Sequence, residues 1–299
     1  MSARVLRRLS AFPITPADSG GRVDVGALRR LLSRLREANV DSVGILGSTG
    51  IYPYLSREER RRTVDAAVEE IGTRIPVLVG VGALRTDDAV RFAQDAKAAG
   101  ASAGLLAPMS YMPLTDDEVF AHFETVAQES GLPLCIYDNP STTNFTFSPD
   151  LIARVSRISG VIAAKSPAPE AEAITSHVSA LRAAVPDGFS LGYSGDWNCV
   201  AALMAGADVW YSVLAGMFPE ICVKIVAAAQ SGDAAEARHL DTKLRPLWDL
   251  FKRHSSLRVM YAIAALLEIW QEGPPRPLLP LPAPVQQKIV DVLRIAELA

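Results

Sequence analysis

The amino-acid sequence predicts an α/β fold, a (β/α)8 TIM barrel with a C-terminal helical extension. Short apolar runs rich in β-branched residues alternate eight times with longer segments whose apolar residues recur every three or four positions. The short runs are apolar throughout, as in parallel strands that are buried on both faces. The chain has 299 residues, and one such barrel takes about 250. Together these observations favour a closed barrel.

The eight predicted strands are separated by helix-like segments such as VGALRRLLSRLREANV and SREERRRTVDAAVEEI. Ser56, Thr86, Thr115 and Ser148 are predicted N-caps because each precedes an acidic residue near a first helical turn. A doubly wound open sheet is the competing arrangement, but no G-x-G-x-x-G follows the first strand. The predicted strands are residues 9–14, 42–46, 76–81, 102–107, 132–138, 161–165, 189–194 and 208–213.

The barrel is predicted to occupy residues 1–232, and the helical extension residues 233–299. Three amphipathic segments make up the extension: AAEARHLDTKLRPLWDLFKRH, SSLRVMYAIAALLEIWQ and PAPVQQKIVDVLRIAELA. The proline-rich stretch EGPPRPLLPLPAP lies between the last two and is predicted to be a stiff connector.

The composition points to a small-molecule partner. The formal net charge is only −3, and no dense basic run is interleaved with aromatic residues, so nucleic acid is not expected as a partner. No window approaches the roughly 18 consecutive apolar residues of a membrane span, and the N-terminus has no cleavage pattern of a signal peptide. Cys135, Cys199 and Cys222 are widely spaced in apolar contexts and are expected to be buried free thiols. We therefore expect a cytoplasmic protein.

Lys165 is the most unusual lysine in the sequence, because it closes the apolar sixth strand in VIAAKSPAP. The other lysines lie in charged, helical surroundings. Burial disfavours the charged form of an amine and increases the neutral fraction that can attack a carbonyl, as a Schiff-base lysine requires. The alternative is a structural lysine that extends to the barrel rim or pairs with Glu170.

Two further polar features fall at predicted strand ends, where barrels of this kind build their active sites. Tyr137 ends the fifth strand beside the strand of Lys165, so its phenol is a candidate proton donor and acceptor, or only a packed ring. The loop LGSTGIY follows the second strand. Its glycine at 47 allows close backbone approach, and Ser48 and Thr49 supply hydroxyl groups for a carboxylate, although the loop could be only a tight turn.

Taken together, an amine, a phenol and a hydroxyl-bearing loop at one barrel mouth suit a 2-oxo acid. The ketone would condense with Lys165, and the carboxylate would bind the loop. The resulting iminium is an electron sink, so an adjacent carbon–carbon bond can be made or broken without a metal or another cofactor.

The same residues resemble the family of pyruvate-dependent class I aldolases and lyases typified by dihydrodipicolinate synthase and N-acetylneuraminate lyase. The motifs are GSTG, YDNPSTT and the strand-six lysine, and SGDW and GADVWYSVLAGMFPE resemble the seventh and eighth strands. The resemblance covers nearly the whole chain. It implies a homodimer or a homotetramer built as a dimer of dimers.

Residue by residue, the resemblance implies Lys165 as the Schiff-base nucleophile and Tyr137 as the general acid and base. Thr49 would link the phenol to Tyr111 in a proton relay, or Tyr111 would pack across a subunit interface. The pyruvate carboxylate would be held by Ser48 and Thr49. The remaining substrate-binding residues that it implies are Gly47, Gly195 and Tyr211.

One departure from the family concerns the second substrate. Dihydrodipicolinate synthase has an arginine two residues after the proline of Y-[ND]-x-P, where it binds the carboxylate of the aldehyde, whereas this chain has Thr142. Losing a bidentate guanidinium is not conservative. The sequence therefore predicts a different second substrate, a less acidic or more apolar aldehyde.

Two other functions remain open from the sequence. One is a dehydratase or decarboxylase of a sugar-derived 2-oxo acid, which would use the same iminium. The other is a catalytically silent barrel that binds a 2-oxo acid. Metal-dependent chemistry is disfavoured because the four histidines, which are scattered without ligand spacing, are expected to be solvated or to cap helices. They are His122, His177, His239 and His254.

Overall fold

The computed structural model describes residues 6–298 and confirms the predicted (β/α)8 barrel. All neighbouring strands are parallel, and β1 pairs with both β2 and β8, so the sheet closes on itself. Each of the eight predicted strands is present. They are β1 Arg8–Ala11, β2 Ser42–Ile45, β3 Val77–Gly80, β4 Ala103–Leu106, β5 Leu134–Tyr137, β6 Val161–Pro167, β7 Ser190–Ser194 and β8 Val209–Ser212.

The helices surround the barrel and continue beyond it. Three helices follow the last barrel helix, as the amphipathic pattern predicted, and the proline-rich segment separates the last two of them. The helices are α1 Val25–Glu37, α2 Arg57–Ile71, α3 Thr86–Ala99, α4 Asp116–Ser130, α5 Pro140–Thr143, α6 Pro149–Val155, α7 Ala171–Ala184, α8 Asp196–Met204, α9 Pro219–Ser231, α10 Ala234–His254, α11 Ser256–Leu266 and α12 Ala283–Ile295.

Three of the four predicted N-caps are confirmed. Ser56, Thr115 and Ser148 each accept a hydrogen bond from a backbone amide of the first turn. The prediction for Thr86 was wrong, because α3 begins at that residue and has no side-chain cap. Its hydroxyl instead pairs with Nδ1 of His122, 2.9 Å away on the neighbouring helix α4. The Thr86 hydroxyl thus makes a contact between two helices instead of capping its own helix.

Alternate residues of the strands fill the barrel interior, as the two-residue period of a strand requires. Cys135 and Tyr137 of β5 and Ala163 of β6 belong to this interior cluster. Space for large rings comes from glycine: a Cβ on Gly192 would lie 2.3 Å from the ring of Tyr211. The small residue on β7 therefore allows a tyrosine of β8 to occupy the barrel axis.

The C-terminal helices pack against the outer helices of the barrel. Helix α10 contacts α8 and α9, and α11 contacts α10. The buried hydroxyl of Tyr261 in α11 donates to the carbonyl of Thr15, just after β1, at 2.9 Å. This bond joins α11 to the end of the barrel where β1 terminates. Within the part of the chain that the structure describes, no helix combines the length and the apolar character needed to cross a membrane.

Candidate active site

Lys165 projects from β6 into the barrel mouth, with only 4% of its surface exposed. Its Nζ lies 3.6 Å from the ring centroid of Phe12 and 4.6 Å from that of Tyr137. Among residues 6–298 it forms no ion pair, with Glu170 or any other carboxylate. The amine is therefore surrounded by aromatic rings and faces the cavity described below.

Tyr137 is the direct neighbour of Lys165 across the barrel sheet. The two residues are paired in the parallel register of β5 and β6. Directly after the tyrosine, the amide of Asp138 donates to the carbonyl of Lys165 at 3.0 Å. These contacts hold the two strand ends together, so a phenol and an amine point into the same space.

A small hydrogen-bonded network surrounds the phenol. The hydroxyl of Tyr137 lies 2.9 Å from Oγ of Ser48. Nδ2 of Asn139 lies 3.1 Å from the phenol oxygen, 3.1 Å from the Ser48 hydroxyl and 2.7 Å from that of Thr142. The amide orientation is supported by Ser141, which donates to Oδ1 of Asn139 at 3.1 Å. Because Asn139 donates to the phenol oxygen, the phenol proton can point to Ser48 or to the cavity.

A cavity of about 490 Å³ opens above the amine and the phenol. Its walls come from the loops after most of the strands and also from the C-terminal helices, which the sequence did not associate with the site. Residues that line it include Phe12, Ser48, Thr49, Tyr52, Met109, Tyr137, Asn139, Thr142, Lys165, Gly195, Asp196, Trp197, Val213, Phe251 and Arg258. Phe12 directly follows β1, but the predicted strand 9–14 placed it in a strand interior, and no sequence pattern points to Arg258.

The GSTG loop lies at the cavity, as expected, but only some of its residues line the cavity wall. Ser48 and Thr49 line the cavity. Gly47 is buried behind them, where a Cβ would lie 3.0 Å from the ring of Phe12. On the opposite side, Gly195 lines the cavity at the start of α8 with a φ of +82°, a backbone conformation that glycine adopts readily.

Of the two other predicted tyrosines, Tyr211 lies away from the cavity and Tyr111 is exposed on the surface of the single chain. Tyr211 is fully buried inside the barrel and does not line the cavity, and its hydroxyl lies 3.6 Å from Sγ of Cys135. Its position on β8 turns the ring to the barrel axis, one layer below the mouth. Tyr111 is 92% exposed in the segment after β4. Within the single chain the Tyr137 phenol therefore pairs with Ser48, and the Tyr137–Thr49–Tyr111 relay is not formed.

Asp138 is a buried carboxyl group directly behind this network. Its Oδ1 accepts a hydrogen bond from the amide of Phe147 at 3.4 Å, and burial raises its pKa from 3.8 to about 6. The folded protein thus binds the Asp138 proton more tightly than the unfolded chain does. The stability from this group is fully present below pH 3.8 and is lost as the pH rises through about 6.

We expect Asp138→Asn to remove this pH dependence. Between about pH 4.5 and about pH 7.5 the free energy of unfolding of the unchanged protein should fall by about 2 kcal/mol relative to that of the variant. Urea unfolding of both proteins at a series of pH values measures the difference. Parallel profiles for the two proteins would show that the carboxyl group titrates in the same way in the folded and unfolded states.

Two of the four histidines differ from their expected roles, and one of them is His177, whose Nε2 is buried without a hydrogen-bond partner among the described residues. His122 was predicted to be solvated or to cap a helix, but it is buried, and burial lowers its pKa to about 4. No group of three or more His, Cys, Asp or Glu side chains within residues 6–298 is arranged to hold a metal ion. The three cysteines are free and buried.

An amine placed beside a phenol at the mouth of a parallel barrel can make or break a bond next to a carbonyl group. Such chemistry is typical of carbon–carbon and carbon–oxygen lyases. A family model narrows the class, because the model of the dihydrodipicolinate synthetase family matches residues 5–296. The chain belongs to the dihydrodipicolinate synthetase family.

Individual relatives agree with this assignment. The 4-hydroxy-tetrahydrodipicolinate synthase of Methylococcus capsulatus is 33% identical over 94% of this chain and 96% of its own length. The crystal structure of dihydrodipicolinate synthase from Agrobacterium tumefaciens is 50% identical, with a TM-score of 0.96 over 99% of both chains. Chloride-inhibited dihydrodipicolinate synthase from Acinetobacter baumannii, solved as a complex with pyruvate, is 25% identical, with a TM-score of 0.89 over 99% of this chain and 100% of that one.

Proposed function

We propose that the protein is a class I lyase that joins pyruvate, or another 2-oxo acid, to an aldehyde, or cleaves the product, through a Schiff base on Lys165. The single observation that supports this most strongly is the register pairing of Lys165 with Tyr137 at the cavity floor. The solved relative that contains pyruvate supports the choice of 2-oxo acid. The carboxylate of pyruvate would lie against Ser48 and Thr49.

The proposed reaction needs no separate cofactor, because the imine on Lys165 serves as the electron sink. The amine of Lys165 attacks the ketone, and Tyr137 protonates the departing hydroxyl group as water leaves. The Tyr137 phenolate then takes a methyl proton from the iminium, which gives an enamine. The electron pair of the enamine forms the new carbon–carbon bond to the aldehyde carbon, and Tyr137 donates its proton to the aldehyde oxygen. Water then hydrolyses the imine, which releases a 4-hydroxy-2-oxo acid and restores the amine.

The phenol is suited to these transfers because its oxygen already has a donor in Asn139 and a hydroxyl neighbour in Ser48. Proton exchange through Ser48 replaces the relay through Thr49 that the sequence suggested. We further propose that the second substrate differs from that of dihydrodipicolinate synthase. Thr142 stands where the resemblance places an arginine, and its hydroxyl is paired with Asn139.

The oligomeric state and the cellular compartment are proposed from exposed apolar residues and from the free cysteines. We propose a homodimer or a homotetramer, because Leu84, Tyr111 and Met112 are exposed apolar side chains after the neighbouring strands β3 and β4. Tyr111 is the residue that the resemblance places at such an interface. The free cysteines fit a reducing compartment such as the cytoplasm.

Incubation with pyruvate followed by borohydride tests this function. Hydride reduces the imine to a stable secondary amine, so we expect a mass increase on the peptide that contains Lys165 and on no other lysine. Lactate is the matched control, because it has the carboxylate of pyruvate without a ketone and should leave the peptide unchanged. An unmodified Lys165 after treatment with pyruvate would refute the Schiff-base assignment.

A further inference from the structure

The cavity is lined by an arginine that the Schiff-base chemistry does not require. Its charged lining residues are Lys165, Arg258 and Asp196. Both oxygens of Asp196 are already engaged: Oδ1 accepts from Nε1 of Trp210 at 2.8 Å, and Oδ2 accepts from the amide of Leu214 at 2.9 Å. Both oxygens are therefore occupied, and Asp196 does not form an ion pair with Arg258. A ligand that fills the cavity therefore meets two basic groups.

Arg258 is the basic group that the Schiff-base chemistry does not use. It lies in the first turn of α11, is half-buried, and forms no hydrogen bond or ion pair with any of residues 6–298. Most arginines of the barrel surface are paired with a carboxylate, as Arg57 is with Asp95. A guanidinium that lines a cavity without a partner has its five donors available for a ligand.

The backbone that carries Arg258 is firmly held. The next two residues, Val259 and Met260, are fully buried. One residue further on, Tyr261 donates to the carbonyl of Thr15 at 2.9 Å. Ser255, immediately before α11, has a φ of +70° and a ψ of 130°, a conformation that strains any residue except glycine. Packing thus fixes the first turn of α11 against the barrel mouth.

We propose that Arg258 binds a carboxylate at the far end of the second substrate, so that the aldehyde accepted by this enzyme is anionic. This inference rests on the proposed Schiff-base function and names the substrate class of the same cavity. Condensation of pyruvate with such an aldehyde gives a 4-hydroxy-2-oxo acid with carboxylates at both ends. One carboxylate lies by Ser48 and Thr49, and the other reaches the guanidinium.

This proposal revises the expectation of a less acidic aldehyde. That expectation considered only position 142, where threonine replaces an arginine. The structure brings a guanidinium to the same cavity from α11, more than one hundred residues further along the chain. An arginine fork binds a carboxylate through two parallel hydrogen bonds, so its position selects the length of the substrate as well as its charge.

Borohydride trapping with 2-oxo acids of increasing length tests the proposal. The ligands are 2-oxoglutarate, 2-oxoadipate and 2-oxopimelate, each paired with the 2-oxo monoacid of the same chain length. We expect at least one diacid to reach half-maximal labelling of Lys165 at a concentration on the order of 10- to 100-fold lower than its monoacid does. In Arg258→Met this preference should disappear, and in Arg258→Lys part of it should remain.

The comparison of each diacid with its monoacid contains its own control. Diacid and monoacid react through the same amine, so their ratio cancels any change in imine chemistry or in the folded fraction. Arg253→Met is the matched control, because Arg253 is exposed at the end of α10 and does not line the cavity. The control should keep the full diacid preference.

Two other outcomes would overturn the inference in distinguishable ways. If pyruvate labels Lys165 but the unchanged protein does not prefer any diacid, or if Arg258→Met keeps the preference, Arg258 does not bind the distal carboxylate. If no 2-oxo acid labels Lys165, the proposed function itself fails, and the inference fails with it.

Discussion

Replacing Lys165 with methionine is expected to abolish both turnover and the pyruvate adduct. Without the amine no imine forms, so the electron sink for carbon–carbon bond formation is lost. We expect kcat to fall on the order of 10⁵-fold or more, as when the nucleophile of a covalent enzyme is removed. Steady-state assays of 2-oxo acid consumption with an aldehyde panel, together with borohydride trapping, measure the two losses.

The fold should survive this change. Lys165 is 4% exposed and has no ion pair within the described residues, so methionine of similar length removes a buried amine without leaving an unpaired charge. The free energy of unfolding in urea should stay the same or increase. Lys224→Met on the exposed face of α9 is the matched control and should be fully active. Residual activity of a Lys165 variant near that of the control would mean that the reaction needs no covalent lysine.

Tyr137→Phe is expected to give the second largest loss. Removing the phenol deletes the group that passes protons to the carbinolamine and to the aldehyde oxygen, which reduces kcat by about 10²- to 10⁴-fold. The amine remains, so pyruvate should still label Lys165, only more slowly. Single-turnover trapping with borohydride at timed intervals separates this slow labelling from the absent labelling of a Lys165 variant.

Tyr211→Phe is the matched control for Tyr137→Phe, because it removes the same phenol hydroxyl from a second tyrosine. Both tyrosine rings lie near the same amine, with centroids 4.6 Å and 5.7 Å from its Nζ. The hydroxyl of Tyr211, however, is turned to Cys135 inside the barrel and has no access to the cavity. Activity should therefore be close to that of the unchanged protein. Equal losses in the two variants would indicate that ring packing, rather than proton transfer, makes Tyr137 necessary.

The barrel could be predicted because its signals are local and repeated. Eight short apolar runs and the helical periods between them are each readable within a dozen residues, and a parallel sheet buried on both faces imposes that pattern. The same topology brings strand ends together at one mouth. This is why the sequence predicts that Lys165 and Tyr137, near the ends of the sixth and fifth strands, are neighbours, and their register pairing agrees.

The details of the network could not be predicted in this way. Ser48 and Thr49 are adjacent in the sequence and chemically alike, and only the side-chain packing decides that the Ser48 hydroxyl meets the phenol. Tyr211 carries the same phenol as Tyr137, but its place on β8 sets it one layer deeper, beside Cys135. The ring of Tyr137 therefore lines the cavity, whereas that of Tyr211 is enclosed in the barrel interior.

The sequence by itself determined the barrel and the family and singled out Lys165, since strand periodicity and strand ends are properties of neighbouring residues. The wall of the cavity was decided by tertiary structure. Phe251 and Arg258 reach it because α10 and α11 fold back over the barrel mouth, and the Tyr261–Thr15 bond joins segments that are 246 residues apart. Contacts between residues so distant in sequence leave no local pattern, and the place of Arg258 at the cavity therefore appears only in the folded chain.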